Sequence, residues 1–370
     1  MEYLADGITE SIINSLSQLP KLRVVPRSTV FRYKEQQVDP QQIGQDLNVR
    51  AVLTGRLVQM NDRLIIKVEL TDVANDSQLW GEHYNRNLSD ILQLEEDISK
   101  EISEKLRIKL TGEARKRLIK RHTKNIDAYQ AYLKGRYYWN KRTPEGFQKA
   151  IESFEQATKV DPNYALAYSG LADCSTLLNY YSVSPPKVAM AHAKSAAKKA
   201  LAADEALAEV HASAAMVAFW YDWDWLRAQI ELERAIKLNP SYPSAHEFYS
   251  WFLAAMGNFS QSVDEGRKAV DLEPLAPAIN MALGKSYFFC RRYDDAVRLC
   301  RRALDLDSEL VPARYFLGQS YLQQGRFYRA LAEYRKADKV LGELPFGAAV
   351  FAHAEALRTD EQHIVTQHSV

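Results

Sequence analysis

Cysteine is scarce. Only Cys174, Cys290 and Cys300 occur in 370 residues, and no CxxC pair is present. Neither a disulfide framework nor a paired-cysteine metal site is encoded, which fits a reducing compartment or plain core use. An excess of one charge is missing too. Lys and Arg number 48 against 47 Asp and Glu, a net charge of +1, so there is no electrostatic case for a nucleic-acid binder. No run approaches the roughly 18 apolar residues of a membrane span. The first residues carry Glu2 and Asp6 where a secretory leader has a basic stretch. The expected location is the cytoplasm, with a membrane-tethered or periplasmic placement if an upstream segment crosses a membrane. Catalytic signatures are lacking as well: no GxxxxGKS/T, GxGxxG, GxSxG or HExxH is found. The eight histidines (83, 122, 192, 211, 246, 353, 363 and 368) have no Cys or His partner at metal spacing. The expectation is no catalytic residue, no metal, no cofactor and no enzyme activity.

What is present is period. Ala235, Ala269, Ala303 and Ala337 stand 34 residues apart, as do Gly284 and Gly318, Tyr287 and Tyr321, and Pro240 and Pro274. The strings AIKLNP, AVDLEP and ALDLDS close successive units, and ATKVDP at 157–162 closes an earlier one. Each unit reads as two helices. Small residues recur where two helices approach to about 8–10 Å, and Pro274 stops a helix because it has no N–H to donate. Ala303→Leu is expected to overpack that contact and lower stability by about 1–3 kcal/mol in chemical denaturation. These residues resemble the tetratricopeptide repeat (TPR). Six units are expected over 128–340, the second lengthened around NYYSVSPPKV. A capping helix is expected at 341–358, a polar tail at 359–370, and a solvated linker helix at 113–127 over the basic run RKRLIKRHTK.

Residues 1–112 show a different pattern. AVLTGRLVQM and RLIIKVELTDV alternate apolar and polar residues around Asn61-Asp62, a hairpin signal, and SQLWGEHYNR reads as a third strand. KLRVVP reads as another strand, cut by Pro26. Asp39 and Pro40 open a helix over DPQQIGQDLNV, and NLSDILQLEEDISKEISEKLRIKL is a long amphipathic helix. The order gives a small mixed sheet with helices, an α+β domain. YLADGITESIINSLSQLPKLRVVPRSTVFRYK, IGQDLNVRAVLTGRLVQ, LIIKVELTDV and LWGEHYNR resemble the TolB amino-terminal-like (FlgO-like) domain of bacterial regulators over residues 3–112. In that family a strand precedes the YLADG helix, and TPRs often come after the domain. The resemblance therefore implies that the first helix covers a sheet through Leu4, Ile8 and Ile12. It implies a first strand supplied by a longer protein, whose upstream part is a winged-helix DNA-binding domain, a protein kinase or a nucleotide cyclase.

The TPR resemblance also implies a right-handed superhelix, an alpha-alpha solenoid, whose first helices line a concave face. Groove positions then fall on Met216 and Phe219, Glu247 and Trp251, Met281, Lys285 and Phe288, and Tyr315, Gln319 and Leu322. This mixed lining suits a protein or peptide segment. Lys285 alone does not make the Lys/Arg/Asn clamp that some TPRs use for carboxylates. In FWYDWDWLRA, Asp222 and Asp224 are expected at a turn, accepting backbone bonds, with the tryptophans capping the core beside them. Cys290 and Cys300 are expected in the core. The resulting reading is a non-enzymatic protein-interaction scaffold, the sensory part of a bacterial regulator. Alternatives are the regulatory fragment of a longer enzyme or transcription factor, and a small-molecule sensor in an interdomain cleft.

Overall fold

The computed structural model describes residues 2–17, 19, 22–34, 36, 38–106, 122–180 and 184–341. Most of the expected linker helix, the capping helix beyond residue 341 and the tail lie outside the described residues. The chain divides into two compact units between Val217 and Ala218.

The first unit opens with helices α1 (Glu2–Ser17), α2 (Arg27–Val30) and α3 (Pro40–Leu47). An antiparallel meander comes next: β1 (Ala51–Met60), β2 (Arg63–Asp72) and β3 (Ser77–Asn87), in the order β1-β2-β3. Met60 pairs with Arg63 across Asn61, which takes φ 53°, the left-handed geometry a two-residue hairpin needs. Asp39 caps α3 by accepting the Gln41 N–H at 3.1 Å, with Pro40 in the first turn. Leu64, Ile66, Val68 and Leu70 of β2 are buried in strict alternation. Then come α4 (Ile91–Lys105), the pair α5 (Ile126–Trp139) and α6 (Pro144–Val160), the pair α7 (Ala165–Tyr180) and α8 (Pro186–Ala203), and α9 (Ala208–Val217).

Two expectations are corrected here. Leu22–Pro26 joins no ladder, and among the described residues the sheet has three strands. The Pro26 carbonyl instead accepts the N–H groups of Thr29 and Val30 and starts α2, while Leu22 and Val24 rest on the core. Nor does α1 simply cover the sheet. It packs against α4 and α5, and Gly7 lets it approach α5 so closely that a Cβ there would sit 2.8 Å from Leu133. One hydrophobic cluster runs without a break from Leu4 and Ile8 through Leu64, Trp80 and Ile98 to Leu133, Phe154 and Leu178. The α+β layer and the first helix pairs therefore share a core.

Two carboxylates stitch this seam. Glu10 of α1 meets Arg136 and Asn140 at the end of α5, and Arg27 of α2. Glu95 of α4 accepts the Tyr129 hydroxyl of α5 at 2.6 Å and the Ser11 hydroxyl of α1 at 2.8 Å, both on Oε2. Its Oε1 is buried with no hydrogen-bond partner. Burial pushes the Glu95 carboxyl up to about 7, although the two hydroxyls favour its charged form. The folded protein thus holds a proton that the unfolded chain releases near its ordinary value, and stability falls as pH climbs toward 7. Glu95→Gln, fixed neutral, should match the native chain near pH 4.5 and exceed its stability by about 1–3 kcal/mol at pH 8, measured by urea denaturation.

The second unit begins with a π turn, Ala218–Asp222, and continues into α10 (Trp225–Leu238). Three antiparallel pairs come next: α11 (Pro243–Ala255) with α12 (Phe259–Leu272), α13 (Pro277–Phe289) with α14 (Tyr293–Leu306), and α15 (Val311–Gln323) with α16 (Phe327–Leu341). The periodic alanines 235, 269, 303 and 337 are all buried. Their small size sets the distance between helices. Trp223, Gly257, Arg291 and Gly325 recur at the same 34-residue interval, and all four take positive φ at the turn inside each pair. His246, Asn280 and Arg314 each reach the carbonyl six residues earlier, of Pro240, Pro274 and Ser308. His211 does the same to Glu205, yet stands 35 residues before His246. The extra residue lies between 211 and 223, where the π turn absorbs it.

Candidate functional site

The first helices of successive pairs carry the residues singled out by spacing. Lys285 of α13 lies with its Nζ 4.5 Å above the ring of Trp251 on α11 and 5.7 Å from the ring of Phe316 on α15. Trp251 stacks on Trp220 of the π turn, with centroids 5.7 Å apart and planes 8° apart. Phe288 meets Phe316 at 5.9 Å, and Phe289, 42% exposed, meets it at 6.4 Å. The result is a row, Trp220, Trp251, Lys285, Phe316, with Phe288 and Phe289 at its far end. In this row Trp251 is buried and Trp220, Lys285 and Phe316 are half-buried, so one cation lies among flat apolar faces.

Burial drives the Lys285 ammonium down to about 8, while Glu247, one turn before Trp251, pulls it the other way. The cation therefore discharges over an indole ring within an accessible pH range. Tryptophan emission should show a step with a midpoint near pH 8, and the step should vanish in Lys285→Met.

The ten expected positions do not behave alike. Glu247, Trp251, Lys285 and Phe288 converge on the row, with Glu247 and Trp251 themselves buried. Met281 is buried among Ala303, Leu310 and Ala313, and serves packing between pairs. Tyr315 turns to Tyr334 within its own pair, at 6.1 Å. Leu322 packs beside Leu317 and Tyr321, and Gln319 is half-buried. Met216 is buried at the end of α9 in the first unit. Phe219 packs edge-on against Phe252 at 5.5 Å, and Trp220 takes the place beside Trp251. Trp220 and Phe316 were not singled out by spacing. For Trp220 the signal was the 35-residue interval from His211 to His246, which slips the register by one after the π turn.

The tryptophan-rich turn differs from expectation. Asp224 does cap α10 by accepting the Arg227 N–H at 3.0 Å. Trp223 and Trp225, however, do not cap the core: they are 72% and 47% exposed. Trp223 occupies the left-handed turn position, which points outward, since a Cβ at the equivalent Gly257 or Gly325 would meet nothing within 4 Å. Cys300 is buried against Gly284, and burial pushes its thiol up to about 12. Cys290 is half-buried near the Phe259 carbonyl, and both cysteines are free.

The helix pairs with small contact residues at a 34-residue period define a tetratricopeptide-type repeat fold, attached to a small α+β layer. Residues 281–347 match the profile of the tetratricopeptide repeat, and residues 2–101 match that of the HilA/YgeH-like transcriptional regulator, second domain. Among curated proteins, the chain is similar to putative adenylate cyclase 3 of Rhizobium meliloti, with 28% identity over 220 residues, 59% of this chain and 37% of that protein. It is similar to transcriptional regulator HilA of Salmonella typhimurium, with 23% identity over 175 residues, 47% of this chain and 32% of that protein. The chain thus spans roughly a third of the length of these relatives. Among solved structures, a monomeric mutant of IFIT1 with m7Gppp-AAAA aligns with a TM-score of 0.50 and 14% identity, covering 72% of this chain and 58% of that one. At that identity the likeness concerns the fold. Among the described residues, no helix is long and apolar enough to cross a membrane.

Proposed function

We propose that this chain is the non-catalytic recognition part of a bacterial regulator, and that it binds an extended protein segment along the first helices of its repeats. The observation that carries this reading is the row Trp220, Trp251, Lys285, Phe316, assembled from successive repeats. Aromatic faces supply apolar contact at low entropic cost, and the cation fixes register. Two unlike relatives, one named a transcriptional regulator and one a putative adenylate cyclase, support a regulatory role that is independent of the output chemistry. In this reading the effector, a winged-helix domain, cyclase or kinase, belongs to a longer protein, and the TolB-like resemblance of residues 3–112 fits the same role.

Selection of random peptides displayed on phage against the full chain tests the reading. Enriched peptides should bind Trp220→Ala or Lys285→Ala at least about tenfold more weakly. They should bind Glu145→Ala, which removes an exposed pair with Lys149 in the first unit, as they bind the native chain. Equal binding to all of these variants would refute the assignment.

A further inference from the structure

Residues 342–370 follow α16 and lie outside the described residues. Their sequence does not continue the repeat in register. Tyr287 and Tyr321 are buried at the 34-residue interval, and 34 residues further on stands Glu355. What FGAAVFAHAEAL, at 346–357, does carry is one apolar stripe at helical spacing: Phe346, Val350, Ala354 and Leu357, at i, i+4, i+8 and i+11. Pro345 stands just ahead, where the first turn of a helix accepts proline. Phe351 flanks the stripe, and Glu355 follows it by one turn on the same flank. Glu355 is the only Asp, Glu, Lys or Arg in 346–357.

The aromatic row offers this stripe a surface of matching charge, length and reach. Its cation is Lys285, between Trp251 and Phe316, and the stretch brings a single carboxylate. As a helix the stretch is about 18 Å long. Packed helices stand about 8–10 Å apart, so that length crosses from α15 over α13 to α11. Tyr334 of α16 lies against Tyr315, the neighbour of Phe316, and α16 ends at Leu341. Leu341 is then about 10 Å along the helix and one helix-to-helix step from the row, or about 14 Å in all. The chain from Leu341 to Phe346 extends to about 17 Å, which is enough. At the far end of the row Phe289 is 42% exposed, open to another ring.

We infer that residues 346–357 seat as a helix across the row and compete there with the protein segment that the row recognises. Phe346 lies at the end formed by Phe288, Phe289 and Phe316, Leu357 lies toward Trp251, and Glu355 reaches Lys285. The competition rests on the recognition reading above; the seating does not. A tethered segment acts at an effective concentration of about millimolar, so even a weak contact keeps the row occupied against a dilute partner.

A benzophenone amino acid in place of Phe351, in the full chain at low micromolar concentration, tests the seating. Irradiation should join position 351 to α11, α13 or α15 of the same molecule, as mapped by mass spectrometry. Glu355→Lys should reduce this adduct, and Glu355→Lys with Lys285→Glu should restore it. No adduct, an adduct elsewhere in the chain, or one only between molecules would overturn the seating. Failure of the charge swap to restore it would overturn the pairing of Glu355 with Lys285. The competition is read separately. Phe351→Asp with Leu357→Asp should bind display-selected peptides at least about tenfold more tightly than the native chain. Ile364→Asp with Val365→Asp, beyond the stripe, should leave that affinity unchanged. An intramolecular adduct with unaltered peptide affinity in Phe351→Asp/Leu357→Asp would overturn the competition alone.

Discussion

Glu10→Ala should destabilise the first unit by about 3–5 kcal/mol, the cost of breaking one side of a buried ion cluster. Glu10 Oε1 receives the Arg136 Nη2 at 2.6 Å and Nε at 3.0 Å. Oε2 receives Asn140 Nδ2 at 2.9 Å and lies 3.0 Å from Arg27 Nε. Burial alone would raise this carboxyl; Arg136 and Arg27 outweigh that, and the Arg136 and Asn140 hydrogen bonds help hold it below its usual value. Removing the carboxylate strands two half-buried guanidiniums that α1, α2 and α5 would still bring together. Glu10→Gln keeps an acceptor and should cost less. Because the folded group is more acidic than the unfolded one, its contribution is present above the ordinary carboxylate range and is lost as pH falls through the folded value. Glu95, on the same seam, has the opposite sign. These two groups together should therefore make the first unit most stable near their shared unfolded value, about pH 4.5, with losses to either side, as followed by circular dichroism in urea at several pH values.

Phe154→Ala should cost about 3–5 kcal/mol. The Phe154 ring is fully buried between Gly135 of α5 and Gly170 of α7, and a Cβ at Gly170 would sit 2.6 Å from it. The ring is a wedge that joins one helix pair to the next, and the two glycines are the slots. Gly170→Ala alone should overpack the slot and cost about 1–3 kcal/mol. In the Phe154→Ala background the added methyl enters the cavity, so the double variant should be more stable than the sum of the single losses. Additive losses would mean that the ring does not hold the pairs together.

The repeat part was legible because helix contacts are strict about size. Ala269 and Ala303 cannot be enlarged without moving a helix, so the period survives in plain view. The meander was legible because β2 alternates without exception. The seam was not. Glu10 and Glu95 stand on amphipathic helices where a carboxylate normally faces water, and only tertiary packing gives α1 a second buried face. Gly7 was the one local hint, a residue of poor helix propensity kept where α5 comes close. The segment 22–26 reads as a strand by composition, but it lacks a ladder partner. In the site, Glu247, Trp251 and Lys285 came from register alone. Phe219 did not, because a single inserted residue, taken up as a π turn, rotates the chain by one position and brings Trp220 to the row.

Site-specific photo-crosslinking tests the recognition reading most directly. A benzophenone amino acid replaces Phe289, exposed at the end of the aromatic row, or Tyr328, which is 63% exposed on a second helix. Each variant chain is irradiated with a peptide selected by display. A covalent adduct is expected from position 289 and none from position 328. Adducts from 328 with none from 289 would contradict recognition along the row.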